Sequence, residues 1–191
     1  MKVFGIDPGS ERTGFGCVDS DGRRHRLVRC GAIRAGASGS PFPERLGAIY
    51  RGLIDELGQC QPDCVAIENL FYATNVRSAL KLGHARGVAM LAAVESGLPV
   101  LEYTPAEIKR AVVGYGRAEK PQVQQMVKLL LGLDEVPSPH DAADALAVAI
   151  CHLHSAPTPD SPIAAIAVGG GTAATAKAPR SWRQYRPPAV G

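Results

Sequence analysis

Lys2-Val3-Phe4-Gly5-Ile6-Asp7-Pro8-Gly9-Ser10-Glu11-Arg12-Thr13-Gly14-Phe15-Gly16-Cys17-Val18-Asp19-Ser20-Asp21-Gly22 places two apolar runs on either side of a Pro-Gly turn and ends in a second turn. Residues 2 to 8 and 12 to 20 carry the β-branched and aromatic side chains that pack on a pleated surface, and a third such run spans about 24 to 33. Asp21-Gly22 is a hairpin signal, because glycine accepts the positive φ of a tight turn. Turns this short join antiparallel neighbours, whereas parallel strands need a crossover of about a dozen residues or more. The chain therefore opens as an antiparallel meander, which excludes a simple doubly wound parallel sheet.

Beyond a small-residue loop at 36 to 43, the apolar period changes from two to that of a helix. Leu46, Ile49, Tyr50, Leu53, Ile54 and Leu57 define a helix over about 44 to 58, after Pro43. Gln61-Pro62-Asp63 ends it, and Cys64-Val65-Ala66-Ile67-Glu68 reads as a fourth strand. A long helix over about 75 to 96 carries Ala79, Gly83 and Gly87 at four-residue intervals, a stripe that a second element could approach closely. Residues 99 to 103 form a fifth strand. Helices at about 105 to 113 and 119 to 131 bracket Gly114-Tyr115-Gly116, and a last helix containing Asp141 ends near His154. The order predicts an α/β domain over residues 1 to 154, a five-stranded mixed sheet flanked by helices.

Four acids stand in settings that aim a carboxylate. Asp7 and Glu68 each end an apolar strand, and Asp141 and Asp144 are three apart in His140-Asp141-Ala142-Ala143-Asp144-Ala145-Leu146-Ala147, so a helix shows both on one face. Asp144 sits among alanines, a face with little bulk where a metal or a sheet can come close. Carboxylates gathered at a partly buried site resist ionising unless a cation joins them. An all-oxygen donor set suits Mg²⁺ or Mn²⁺, whereas zinc favours His and Cys. Two such ions about 3.5 to 4 Å apart can activate water and stabilise the leaving oxygen of a phosphodiester, so the chemistry indicated is that of a nuclease.

With 191 residues, 46% of them hydrophobic, the chain can build one domain of roughly 150 residues plus an appendage. No stretch reaches the roughly 18 to 20 apolar residues of a membrane span, and Met1-Lys2 leads into a strand and not a signal peptide, so a cytoplasmic location is expected. Cys17, Cys30, Cys60, Cys64 and Cys151 include no C-x-x-C pair and read as small core residues; Cys60 and Cys64 with Cys151, His152 and His154 are the one other set with ligand chemistry. Residues 155 to 191 hold six Pro, four Gly and nine Ala, and Lys177, Arg180, Arg183 and Arg186 against Asp160 alone, which predicts a basic disordered tail. Its Arg180-Ser181-Trp182-Arg183-Gln184-Tyr185-Arg186 stretch fits either a nucleic-acid or protein contact or a passive tail. Residues 69 to 133 hold eight Lys or Arg against four Glu, so bases that bind phosphate are segregated from acids that bind metal.

Several ordered motifs together resemble the RuvC Holliday-junction resolvases, crossover-junction endodeoxyribonucleases with a ribonuclease H-like fold. They are Gly5-Ile6-Asp7-Pro8-Gly9 with Thr13-Gly14-Phe15-Gly16, Ala66-Ile67-Glu68 with Phe71, Ser78-Ala79-Leu80-Lys81-Leu82-Gly83, Ala85-Arg86-Gly87, Ala118-Glu119-Lys120, and Asp141 through Ala147. The resemblance implies a homodimer that grips four-way junction DNA during recombination and repair and nicks two strands of like polarity, one site per subunit. It implies Asp7, Glu68, Asp141 and Asp144 as the catalytic acids holding two Mg²⁺ or Mn²⁺ ions, with Lys120 catalytic and Lys109 near a phosphate. DNA contacts are expected from Phe71, Tyr72, Arg77, Lys81, Lys109 and Lys120, the aromatic at 71 stacking at the crossover. A branch-migration motor is an implied partner.

Plainer roles compete at each position. Asp7 could shape its turn, Asp141 could be the N-cap of its helix, Lys109 and Lys120 could be solvated charges, and Phe71 could pack in the core. His140 is a candidate for proton transfer or phosphate contact. Asp7-x-Gly9 with Thr13-x-x-Gly16 also resembles the phosphate loop of actin-like and sugar-kinase ATPases, although those need a second lobe. A junction-binding protein without catalysis is the third alternative.

Overall fold

Alternation along the first strand sorts the two faces of the sheet. In β1 (Lys2–Asp7), Phe4 and Ile6 face one way, and Val3, Gly5 and Asp7 face the other. The computed structural model describes residues 1–37, 39–69 and 75–155. Phe71, Tyr72 and the segment from 156 onward, with the expected tail, lie outside the described residues.

β1 pairs antiparallel with β2 (Arg12–Ser20), which pairs antiparallel with β3 (His25–Arg34). On its other side β1 pairs parallel with β4 (Cys64–Glu68), and β4 pairs parallel with β5 (Val100–Tyr103), giving the order β3-β2-β1-β4-β5. The meander and the mixed five-stranded sheet are as the sequence predicts. Helices α1 (Phe42–Cys60) and α2 (Val76–Glu95) cover the Phe4 face, where Ile49, Leu53, Ala85 and Ala89 are buried. Helix α5 (His140–Ser155) covers the Val3 face, and α3 (Pro105–Val113) and α4 (Lys120–Leu130) pack against α5. The Ala79, Gly83 and Gly87 stripe on α2 is exposed and lies away from the sheet. The small residues against the sheet are Ala85, Ala89, Ala92 and Ala93, whereas space lies open above Gly83 and Gly87.

α5 is the central helix and packs on all five strands. Leu146 and Ile150 are fully buried, each contributing about 1.5 to 3 kcal/mol. The sheet beneath it carries glycine at the points of closest approach. A Cβ on Gly5 would stand 2.0 Å from the carbonyl oxygen of Ala145, and one on Gly14 would stand 2.0 Å from that of Asp141. Gly16, the cross-strand partner of Gly5, likewise faces Leu146. These glycines form a seat that lets the helix backbone lie directly on the sheet. The cysteines pack as small core residues: Cys17, Cys60, Cys64 and Cys151 are buried, and Cys30 is half-buried.

Candidate active site

Strand register brings the first two acids together. Ile6 is paired with Ile67, so Asp7 and Glu68 end neighbouring parallel strands, and both face α5 because Gly5 and Ala66 do. The turn after Asp7 is held by Thr13, whose buried hydroxyl donates to the Gly9 carbonyl at 3.0 Å. The tip of β4 is held by the Asn69 amide, which donates to the Tyr103 carbonyl at 2.7 Å.

α5 supplies the second pair. Asp141 is not the N-cap: the helix begins at His140, and Asp141 occupies its first turn, where a negative charge meets the positive end of the helix dipole. Asp144, one turn on, enters a cleft of about 330 Å³ with Asp7, Glu68, Lys109 and Lys120. Ile108, Val123 and Val148 give that cleft an apolar wall. Lys109 projects from α3, whose N-terminus is fixed by a Thr104–Glu107 capping box. Lys120 is the first residue of α4, the wrong end of a helix for a cation. Asp144 offsets that cost, because the Lys120 ammonium lies 2.5 Å from its carboxylate.

The electrostatics are those of crowded acids. Burial, then the nearby charges of Glu68, Asp144 and Asp141, push the Asp7 carboxyl up to about 8. Burial likewise raises Glu68, opposed by a hydrogen bond from Asp7 and by the charges of Lys120 and Lys109. Lys120 is raised in turn, first by its hydrogen bond to Asp144. At neutral pH Asp7 therefore retains its proton unless positive charge is added.

That is the condition a cation relieves, and the donors are all carboxylate oxygens, so these residues fit a hard divalent ion. Among the described residues, no three acids, imidazoles or thiols stand closely enough to hold an ion as they are. Two of the four acids are engaged by cations of the chain instead: Asp144 by Lys120, and Asp141 by Arg12 at 3.7 Å. A divalent ion would take over the role of those side chains.

The remaining candidates fall elsewhere. Arg77 and Lys81 are exposed on α2 and outside this cleft; the Lys81 ammonium lies 6.0 Å from the centre of the Phe42 ring. His140 is exposed and does not line the cleft. Arg86 has a role beyond its place in a motif. Its Nε donates to the Glu68 carbonyl at 3.3 Å, and its guanidinium pairs with Glu102, so it braces the tip of β4 from the opposite layer. An arginine amid the small residues of an otherwise apolar helix face is the signal that points to it.

Comparison with known proteins places this geometry in context. The family model described as crossover junction endodeoxyribonuclease RuvC matches residues 3–152. A crossover junction endodeoxyribonuclease RuvC from Pelotomaculum thermopropionicum is 53% identical over 154 residues, which cover 81% of this chain and 93% of that protein. One from Trichlorobacter lovleyi is 48% identical over 187 residues, covering 98% and 100%. Among solved structures, Thermus thermophilus RuvC superposes with a TM-score of 0.74 at 38% identity, covering 81% of this chain and 94% of that one. The same protein in complex with Holliday junction substrate gives 0.73 at 35% identity, with the same coverage. The matched region contains the Asp7-x-Gly9 turn, so the ATPase reading of that turn falls away. The chain belongs to the RuvC family of crossover junction endodeoxyribonucleases.

Proposed function

We propose that this protein is a structure-selective endonuclease that resolves four-way DNA junctions by metal-assisted hydrolysis of two phosphodiesters, during homologous recombination and repair. The observation that carries the reading is the meeting of Asp7 and Glu68 with Asp144 in one cleft beside Lys109 and Lys120, with Asp141 one turn away on the same helix.

In this reading Asp7, Glu68, Asp141 and Asp144 hold two Mg²⁺ or Mn²⁺ ions. When bound, such ions acidify an attacking water and offset the charge that develops on the leaving oxygen. The carboxylates orient that water and fix the position of the strand. Lys120 moves from Asp144 to the phosphate, where its ammonium opposes the charge of the reacting group. Lys109 holds a neighbouring phosphate, and the apolar wall of Ile108 and Val148 limits bulk water. Arg77 and Lys81 belong to the DNA surface of α2, with Phe71 and Tyr72 acting at the crossover bases. No helix among the described residues is long and apolar enough to cross a membrane. A cytoplasmic location and an association with a branch-migration motor complete the reading.

A homodimer supplies the second nick. Its contact is α2, where Val76, Leu80, Leu91 and Val94 are 78%, 59%, 50% and 61% exposed and share a heptad-like stripe with the open Gly83 and Gly87. A Leu80→Glu exchange is expected to raise the dimer dissociation constant by more than about tenfold, as a charge buried in such a seam should. Sedimentation across a concentration series checks this, and an unchanged dimer would move the contact elsewhere.

The function itself is tested on a synthetic four-way junction with a mobile core. Paired nicks in opposing strands are expected in Mg²⁺ or Mn²⁺ and none in EDTA, with binding preserved in Ca²⁺. Binding without nicking in every metal would leave a junction-binding protein in place of a nuclease.

A further inference from the structure

Arg12 and Arg34 stand directly opposite one another in the β2–β3 ladder, at the end of the sheet that carries Asp7. Like charges facing each other across antiparallel strands destabilise the pair, so the arrangement is a local cost that folding alone does not explain. A third arginine joins them from the other layer. Arg45 of α1 donates to the Ser10 carbonyl and approaches the Glu11 carboxylate at 4.0 Å. Together the three line a polar cleft of about 800 Å³ whose rim includes Gly9 and Asp141.

The placement of that cleft gives it meaning. Asp141 borders it, Asp144 borders the catalytic cleft, and the two acids are one helical turn apart on α5. The Pro8–Ser10 turn separates the two depressions. A strand with one phosphate at Lys109 and Lys120 would reach the arginines by crossing this turn. Arg45 is committed to the loop, and Arg12 is shared with Asp141, whereas Arg34 is exposed and has no carboxylate within 4.0 Å among the described residues. Guanidinium groups present a planar fork that matches phosphate oxygens, and a phosphate between Arg12 and Arg34 would turn their repulsion into attraction.

We propose that the Arg12–Arg34–Arg45 cleft is a second phosphate-binding site, which seats the backbone of the substrate strand beyond the scissile phosphate. The proposal rests on the junction-cleaving reading and adds a named contact to it. It also gives Arg12 two alternating partners, Asp141 in the free protein and DNA phosphate in the complex.

The test uses the full chain, a fluorescent four-way junction and Ca²⁺ in place of a catalytic metal, with affinity measured across a salt series. Arg34→Gln is expected to weaken binding by about three- to tenfold and to reduce the slope of log affinity against log salt by about 0.9, the loss of one phosphate contact. Arg24→Gln removes the same charge from the turn at the opposite end of β2 and should change neither quantity. Because Arg34→Gln also removes the cross-strand repulsion, its melting temperature should equal or exceed that of the wild type. Wild-type affinity and slope in Arg34→Gln, or an equal loss in Arg24→Gln, would overturn the site. A wild type that binds no junction would instead overturn the functional reading beneath it.

Discussion

Asp7→Asn is expected to abolish cleavage while raising the melting temperature of the metal-free protein. The amide keeps the shape of the carboxyl but cannot supply the charge that binds a cation, so nicking should fall by more than about 10²-fold, the scale for removing one group that stabilises transition-state charge. Stability should move the other way. The folded-state value of Asp7 is raised from 3.8 to about 8, so the folded protein holds a proton that the unfolded chain releases between those values. Stability therefore falls as pH rises through that window, and the cost of ionising Asp7 without metal is fully present above about pH 8. Asparagine has no such penalty, and a gain of roughly 5 °C at pH 8 in EDTA is the expected size for a domain of this length. The gap should shrink at pH 5, where Asp7 is protonated in the folded wild type, and again on adding a divalent ion, which is expected to bind the wild type more tightly than the variant. Thermal melts at both pH values, beside a junction-nicking assay, read all of this. A mutant that melts below wild type at pH 8 in EDTA would mean that the acids are not in electrostatic conflict.

Gly5→Val should be among the most damaging single exchanges in the sheet. Its Cβ would meet the Ala145 carbonyl oxygen at 2.0 Å and the Ala149 nitrogen at 2.8 Å, both backbone atoms of α5 that cannot rotate away. The helix must lift, which disturbs the packing of Leu146 and Ile150 as well as the placement of Asp144. Overpacking of a well-filled core typically costs about 1 to 3 kcal/mol, and a backbone clash lies at or above the top of that range. A loss of at least about 6 °C in melting temperature, or failure to accumulate as soluble protein, is expected. Gly58→Val is the control, because Gly58 is exposed on α1 with open space at its Cβ. Equal melting temperatures for the two variants would show that α5 does not depend on a bare sheet.

Much of this was legible in the residues because it is local. The Pro-Gly and Asp-Gly turns announced the meander, and β-strand alternation alone puts Asp7 on the face of Val3 and Glu68 on the face of Ala66. The alanines around Asp144 foretold a close approach, and the approach is that of α5 to the sheet. What stayed hidden depends on rotation and register between distant segments. Nothing near Ala79, Gly83 and Gly87 says that a helix turns that stripe outward and buries Ala85, Ala89 and Ala92 instead. The Arg12–Arg34 opposition follows from a 22-residue separation closed by strand pairing, and the Arg86 brace on Glu68 crosses from one helical layer to a strand tip. Asp141 read equally well as an N-cap, because the choice turns on whether the helix starts one residue before it or one after.

Among the described residues α5 is the last of ten elements in chain order, yet it carries two of the four acids and rests against every strand of the sheet. During synthesis Asp7 and Glu68 leave the ribosome long before their partners, and the sheet that holds them has one bare face until α5 arrives. Cutting power and structural completeness therefore come together. A nascent chain, or a fragment clipped ahead of residue 140, lacks half the acidic constellation and much of its core at once. Such a piece lacks both the second pair of acids and the helix that would seat on the glycines of the sheet.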